Sequence, residues 1–235
     1  MRFYISLPHR CNYLPAQESV SLFADPQALM TKQRYAKLID QGFRRSGSHV
    51  YRPQCPTCMA CVPTRVPVSR FMPSRSQRRN WRANQKLEVR MLSAEYRDEH
   101  FSLYRRYLNT RHRGGGMDNP TPEAYRNFLQ CQWGHTMFIE FRRNETLLGV
   151  TVSDLLPQGL SAVYTFFDPD HAKQGLGTFA VLWQINEACR QGLEYVYLGY
   201  WITESPKMNY KIDFRPIEGL VDGQWIDLSV VSSPS

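Results

Sequence analysis

Three cysteines at two-residue intervals, Cys55, Cys58 and Cys61, with Cys11 far upstream, are the sharpest chemical feature of this 235-residue chain. Two-residue spacing lets successive thiolates turn toward one ion, as in zinc knuckles and iron–sulfur sites. The spacing predicts a closed structural site, zinc or an iron–sulfur cluster, tying the N-terminus to the loop that carries Pro56 and Pro63. The competing reading is ordinary buried cysteine, because the upstream ligand stands alone. Cys131 and Cys189 fall in predicted helices and read as core packing.

A second group is basic. Arg75, Arg78, Arg79, Arg82 and Lys86 recur at offsets of three and four, and Glu88 is the only acid between Cys55 and Glu95. On a helix these side chains share a sector of roughly 100°. Such a stripe neutralises phosphates along a nucleic-acid backbone; the plainer reading is a solvated face. A third group lies in Tyr197–Phe214, where Lys207, Tyr210 and Lys211 follow Ser205-Pro206. Interleaved aromatic and basic residues suit stacking on a terminal base with charge contacts to phosphate.

The elements that carry these groups fall into two parts. Residues 1–70 read as a small cysteine-containing unit, with a strand over Val20–Phe23, a helix over Met30–Gln41 and an extended stretch over Phe43–Arg52 turning at Ser46-Gly47. Residues 71–228 read as a second unit. Leu87–Leu92 alternates like a strand, and a helix capped by Ser93 runs to about Asn109. Thr121-Pro122 opens another helix. Met137–Arg142 and Leu147–Leu155 form a hairpin around Asn144, Ser161–Phe167 is a third strand, Gly175–Gln191 a helix and Tyr195–Ile202 a fourth strand. A short helix and a hairpin around Asp222-Gly223 follow, and 229–235 reads as a disordered tail.

This order, α+β with a mixed sheet, resembles the GCN5-related acyltransferase fold. In that fold a glycine turn after the third of these strands opens a helix whose backbone N–H groups hold a phosphate. Here the turn is Gln174-Gly175-Leu176-Gly177. The acetyl-coenzyme A version of the motif has Arg or Gln three residues before the first glycine. This chain has Ala172 there, which counts against coenzyme A and leaves room for another phosphate-bearing donor.

A more specific resemblance covers about residues 3–228. The segments LGYWITESPKMNYKIDFRP, QGLGTFAVLWQI, YRPQCPTCMACVPTRV and SRSQRRNWRAN resemble the arginyl-tRNA–protein transferase family. The short length and RHRGGGM at Arg111–Met117 look most like its bacterial branch. Members of that branch transfer leucine from leucyl-tRNA to proteins beginning with Asp or Glu, marking them for degradation. The resemblance implies this donor and these acceptors; an arginyl donor is the alternative.

The chemistry so implied needs little acid–base power. The acceptor α-amine has a free pKa of about 7.7–8.0, and the donor ester is already activated. Alignment of amine and carbonyl and stabilisation of the oxyanion are the main demands. In the resembled fold the reacting groups meet where the third and fourth strands splay. That places Tyr164, Thr165 and Phe166 on one side and Leu198, Gly199, Tyr200 and Trp201 on the other. Asp154 is expected to orient the amine, and Tyr164 or Tyr200 to relay a proton. Arg44, Arg45, Arg111, His112, Arg113 and Lys207 are the cations available to an acceptor carboxylate.

Composition narrows the alternatives. Apolar residues make up 42% and charged residues 21%, with a net charge of +8 and a pI near 9.3. The basic excess favours polyanions. No segment approaches the roughly 18 apolar residues of a membrane span, and the N-terminus lacks the apolar run of a signal peptide. The expectation is a cytoplasmic enzyme needing no cofactor for its chemistry, with an acetyl-coenzyme A transferase and a metal-stabilised RNA-binding module as rivals.

Overall fold

The structure is a computed structural model and describes residues 1–111 and 119–228. Its N-terminal unit contains β1 (Phe3–Ile5), β2 (His9–Arg10), β3 (Glu18–Ser19), β4 (Ser21–Ala24), α1 (Lys32–Asp40), β5 (Arg44–Ser46) and β6 (His49–Pro53). Thr31 caps α1 through the N–H of Arg34, and the helix buries Tyr35, Ala36, Leu38 and Ile39. Four strands pair in the order β1-β4-β6-β5, all antiparallel, while β2 and β3 form a separate ribbon beside Cys11.

The second unit is one eight-stranded sheet with helices on it. In chain order it contains β7 (Val62–Pro67), α2 (Arg75–Asn84), β8 (Glu88–Ser93), α3 (Asp98–Arg111), α4 (Pro122–Leu129), β9 (Thr136–Arg143), β10 (Thr146–Leu155) and β11 (Gly159–Phe167). It continues through α5 (Leu176–Arg190), β12 (Tyr195–Trp201), β13 (Glu218–Val221) and β14 (Gln224–Asp227). The strand order is β14-β13-β7-β12-β11-β10-β9-β8, and β11–β12 is its parallel pair. The protein is therefore a mixed α+β fold built on a mostly antiparallel sheet.

Two expected boundaries move. Residues 62–67, read from sequence as part of the N-terminal unit ending at 70, form a strand of the large sheet between β12 and β13. Pro63 and Pro67 hide it, because proline cannot donate to a ladder and argues against a central strand. Ser93 ends β8 rather than capping a helix, so α3 begins later, at Asp98. The expected hairpin turn is present, with Asn144 and Glu145 both at positive φ.

Two apolar layers cover the large sheet. On one, Tyr104, Tyr107 and Leu108 of α3 and Tyr125 and Leu129 of α4 meet Phe138, Val152 and Phe166. On the other, Val181, Leu182 and Ile185 of α5 meet Val66, Val196 and Leu198. The N-terminal unit closes against the sheet through Leu156 and Tyr197. Burial of this apolar area is the main driving force for joining the two units. Among the described residues no helix is long and apolar enough to cross a membrane.

Candidate active site

β11 and β12 pair only over Gly159–Ser161 and Tyr195–Tyr197. Beyond those residues the two strands leave the ladder, and β12 slips register against β7 between Tyr197 and Gly199. Gly199 has φ +79, a conformation that suits glycine, and a Cβ there would lie 3.0 Å from the Arg44 guanidinium. Bulge, glycine and splay together open a gap in the sheet and seat an arginine in it.

That arginine comes from β5. Successive strand residues point to opposite faces, so Arg44 and Arg45 diverge. Arg45 runs inward to Asp154, with Nε and Nη2 donating to the two carboxylate oxygens at 2.7 Å each. Tyr35 Oη and Thr136 Oγ1 also donate to this carboxylate, at 2.9 and 2.7 Å. The Arg45 and Asp154 side chains are 0% and 1% exposed. Arg44 takes the opposite direction. Its Nη2 donates to the Ala162 carbonyl on β11, while Nη1 is buried with no hydrogen-bond partner among the described residues.

This placement revises several expected roles. Asp154 is saturated by Arg45, Tyr35 and Thr136, so it anchors β5 and has no free oxygen for an amine. Arg45 is consumed by the same pair and cannot read a substrate carboxylate. Tyr200 donates its hydroxyl to the carbonyls of Gly42 and Tyr51, and burial raises its phenol well above the ordinary range. Tyr164 packs among Tyr104, Tyr107, Phe128 and Phe166, and burial raises its phenol strongly too. Neither phenol is tuned to exchange a proton near neutrality.

The 202–214 segment also departs from expectation. Lys207 and Tyr210 are exposed, but Lys211 is only 4% exposed and points inward. Its Nζ meets Met208 Sδ at 3.4 Å and stands 4.8 Å from the Tyr210 ring. Burial, reinforced by the Arg44 charge, lowers Lys211 to about 7. A surface phosphate contact is not the role this position suits. Its burial is the feature sequence reasoning missed, because an SPKMNYK string reads as polar surface.

The basic stripe is where the sequence puts it. Ser74 and Gln77 form a capping box at the start of α2, and Arg75, Arg78, Arg79 and Arg82 are all exposed. The inner face of the helix is polar. Asn80 and Asn84 donate to the Gln174 carbonyl, and Asn80 also to that of Gly175. Gly175 is left-handed (φ +65) and begins α5. A cleft of about 450 Å³ lies between the two helix starts, lined by Arg79, Asn80, Lys173, Gln174 and Thr178 among others. The structure so joins the arginine helix to the Gly175–Gly177 turn.

Arg111 is exposed at the end of α3, with its guanidinium 5.3 Å from the Phe167 ring centre; Arg113 and His112 lie outside the described residues. Cys61 lies within electrostatic reach of Cys11, Cys55 and Cys58. Burial first, then Cys11, Cys55 and Cys58, raise the Cys61 thiol to about 12. The N–H groups of Tyr13 and Leu14 approach Cys11 Sγ at 3.4 Å, and that of Val20 approaches Cys55 Sγ at 3.5 Å. Among the described residues, however, no three His, Cys, Asp or Glu side chains stand together as a metal-binding group.

Comparison with known proteins matches both parts of the chain. Residues 9–79 match the family described as arginine-tRNA-protein transferase, N terminus, and residues 99–221 its C terminus. Aspartate/glutamate leucyltransferase of Nitrosococcus oceani is 54% identical over 95% of this chain and 94% of its own length. Its counterparts in Pseudomonas putida strain W619 and Pseudomonas fluorescens strain Pf0-1 are 50% and 48% identical over 97% of both chains. Among solved structures, L-PGS from Bacillus licheniformis matches 61% of this chain and 46% of its own at 12% identity and TM-score 0.48, too low to extend the comparison. With both family segments in order and relatives this similar along nearly the whole length, the chain belongs to the arginine-tRNA-protein transferase family.

Proposed function

We propose that the chain moves leucine from leucyl-tRNA to the N-terminal α-amine of proteins beginning with Asp or Glu, and that the reaction takes place in the gap between β11 and β12. The donor and acceptor follow the names of the relatives. The chain is an aminoacyltransferase, and its products are degradation substrates made in the cytoplasm. The observation that carries the acceptor assignment is Arg44. A half-buried arginine whose Nη1 is covered and has no hydrogen-bond partner among the described residues matches an incoming carboxylate, which it can bind without first losing a partner at that nitrogen. Arg111 and Arg113 stay as secondary candidates for that carboxylate.

The large sheet is read here as a GCN5-type acyltransferase core. Its support is the sequence of parallel pair, glycine-started helix and splay. On this reading the tRNA acceptor arm lies along Arg75, Arg78, Arg79 and Arg82, with a phosphate in the cleft beside Gly175 and Gly177. Lys207 and Tyr210 are exposed and, on this reading, contact the terminal nucleotides. The facing edges of β11 and β12 beyond Ser161 and Tyr197 are not paired with each other, and the oxyanion is assigned to that stretch of backbone. No side-chain nucleophile is required. The proposed place for a structural zinc or iron–sulfur cluster is Cys11, Cys55, Cys58 and Cys61, on the two-residue spacing of the last three and the influence of the other three sulfurs on Cys61. The metal takes no part in transfer.

The test is transfer of labelled amino acids from individually charged tRNAs to Asp-, Glu- and Ala-initiated peptides. Leucine on Asp and Glu peptides is expected. Arg44→Ala should raise the KM for an Asp peptide at least 10-fold while tRNA affinity holds. Arginine transfer without leucine transfer would reject the donor, and an unchanged Asp-over-Ala preference in R44A would reject Arg44 as the reader. Coenzyme A binding by calorimetry with no leucine transfer would favour an acetyltransferase.

A further inference from the structure

Among the described residues, the arginines that are buried as whole residues have carboxylate partners and the one buried lysine does not. Arg45 is paired with Asp154, Arg65 with Asp40 and Glu218, and Arg142 with Glu99 and Glu140. Buried Lys211 has no carboxylate among the described residues; its Nζ touches only the thioether of Met208 and the face of Tyr210. The one charge found acting on it is another cation, Arg44. An ammonium held this way is disfavoured both by burial and by its neighbour, so a sizeable share of the side chain is neutral amine near neutrality. A methionine or leucine would fill the same volume without that penalty. A lysine kept in such a place suits a proton acceptor.

We propose that Lys211 is the base that takes a proton from the acceptor's α-ammonium, acting as a catalytic residue in contact with the attacking nitrogen. This rests on the transferase reading above. The geometric link is the substrate itself. In an N-terminal Asp, the α-nitrogen and the side-chain carboxylate are separated by two carbons, so a carboxylate on Arg44 brings the amine close to whatever stands beside Arg44. The segment that carries Lys211 packs on β12, the strand whose Gly199 lies against the Arg44 guanidinium. Tyr210, also within reach of the Arg44 charge, screens the lysine from solvent.

The step balances without any further reagent. The α-ammonium gives one proton to the Nζ of Lys211. The free amine attacks the leucyl ester carbonyl and a C–N bond forms. The tetrahedral intermediate expels the ribose oxygen of the tRNA as the C–O bond breaks, and the second nitrogen proton passes to that oxygen. Lys211 then loses its proton to water, so each turnover releases one proton.

Single-turnover leucine transfer to an Asp peptide, followed from pH 6 to 9 in the wild type, K211R and K211M, tests this. Arginine keeps charge and length but cannot deprotonate. K211R is expected to lose about 10²–10⁴-fold in rate with tRNA affinity within 3-fold of the wild type. Its pH profile should lose the ionisation near 7 and keep only that of the acceptor amine at about 7.7–8.0. K211R with wild-type rate and profile would overturn the proposal. So would a fall in tRNA affinity with an unchanged pH profile, which is what a phosphate contact predicts. If K211M does not fold, the titration of Lys211 in the wild type, read by the ¹³Cε shift assigned against K211R, still decides. Titration near 7 supports the base, and titration in the ordinary lysine range excludes it. Wild-type transfer is the control, since its absence refutes the transferase reading, whereas normal wild-type transfer with unimpaired K211R refutes only the base.

Discussion

Asp154→Ala should unfold the protein more readily before it affects chemistry. The carboxylate accepts two charge-assisted bonds from Arg45 and one each from Tyr35 and Thr136, all inside the interface between the two units. Removing it leaves the Arg45 guanidinium buried without a counter-charge, which costs about 3–5 kcal/mol. For a chain of this size each kcal/mol moves Tm by about 2–4 °C, so the melting temperature should fall by roughly 6–20 °C. Urea and thermal unfolding of D154A, R45M and the double variant R45M/D154L measure this directly. The double variant removes both charges together and should regain part of the lost stability, because no charge is left unpaired although the Tyr35 and Thr136 hydroxyls lose their acceptor. Since β5 carries Arg44 next to Arg45, transfer activity should fall in D154A and return in the double variant. If D154A keeps wild-type stability within about 1 kcal/mol and loses transfer, the reasoning is refuted, and Asp154 orients the amine after all.

Other outcomes follow from the same structure. Alanine at Arg78, Arg79 or Arg82 should weaken tRNA binding and reduce the salt slope by about 0.7–0.9 per lost phosphate contact, without altering the preference for leucyl-tRNA. Unchanged slopes would mark a solvated face. Elemental analysis of anaerobically purified protein should find zinc or iron, and chelation should lower Tm; metal-free protein of full stability would leave the cysteines as packing. Lys211→Met should be more stable than the wild type at pH 6. The sign follows from the lowered Lys211: folded protein releases its proton near 7, and unfolded chain near 10.4, so the unfolded state binds more protons between those values. The penalty is therefore complete below 7 and fades as pH rises toward 10, and the advantage of K211M should fade with it in denaturant titrations at each pH. A constant or reversed difference would contradict the burial of an unpaired lysine.

Much of the architecture was legible because local patterns and side-chain caps act over a few residues. Thr31, Ser74 and Thr121 each cap the helix that follows them, and the stripe from Arg75 to Arg82 lies on the exposed side of one of those helices. The strand alternation from Leu87 onward and the order of elements through Trp201 also follow from local sequence. Family membership was likewise readable, since the motifs are contiguous. Pro63 and Pro67 are the counterexample. The chain's own rules exclude a central strand there, and only pairing with β12 and β13 makes one.

Roles in the site were another matter, because they depend on contacts across more than a hundred residues. Arg44 and Arg45 are adjacent and chemically identical in the sequence. The face of β5 each occupies sends one into a saturated pair with Asp154, 109 residues away, and the other to Ala162, 118 residues away, with its Nη1 unpartnered among the described residues. Asp154, Tyr164 and Tyr200 sit near the splay as position implied, yet their hydrogen bonds and burial commit them to packing. Lys211 reads as surface charge and is buried by the return of its segment against β12. Sequence by itself determined the family, the elements and the basic helix, since those are set by near neighbours and pattern. Tertiary structure decided which charges are spent on each other and which stay available, because desolvation and pairing exist only once distant segments meet.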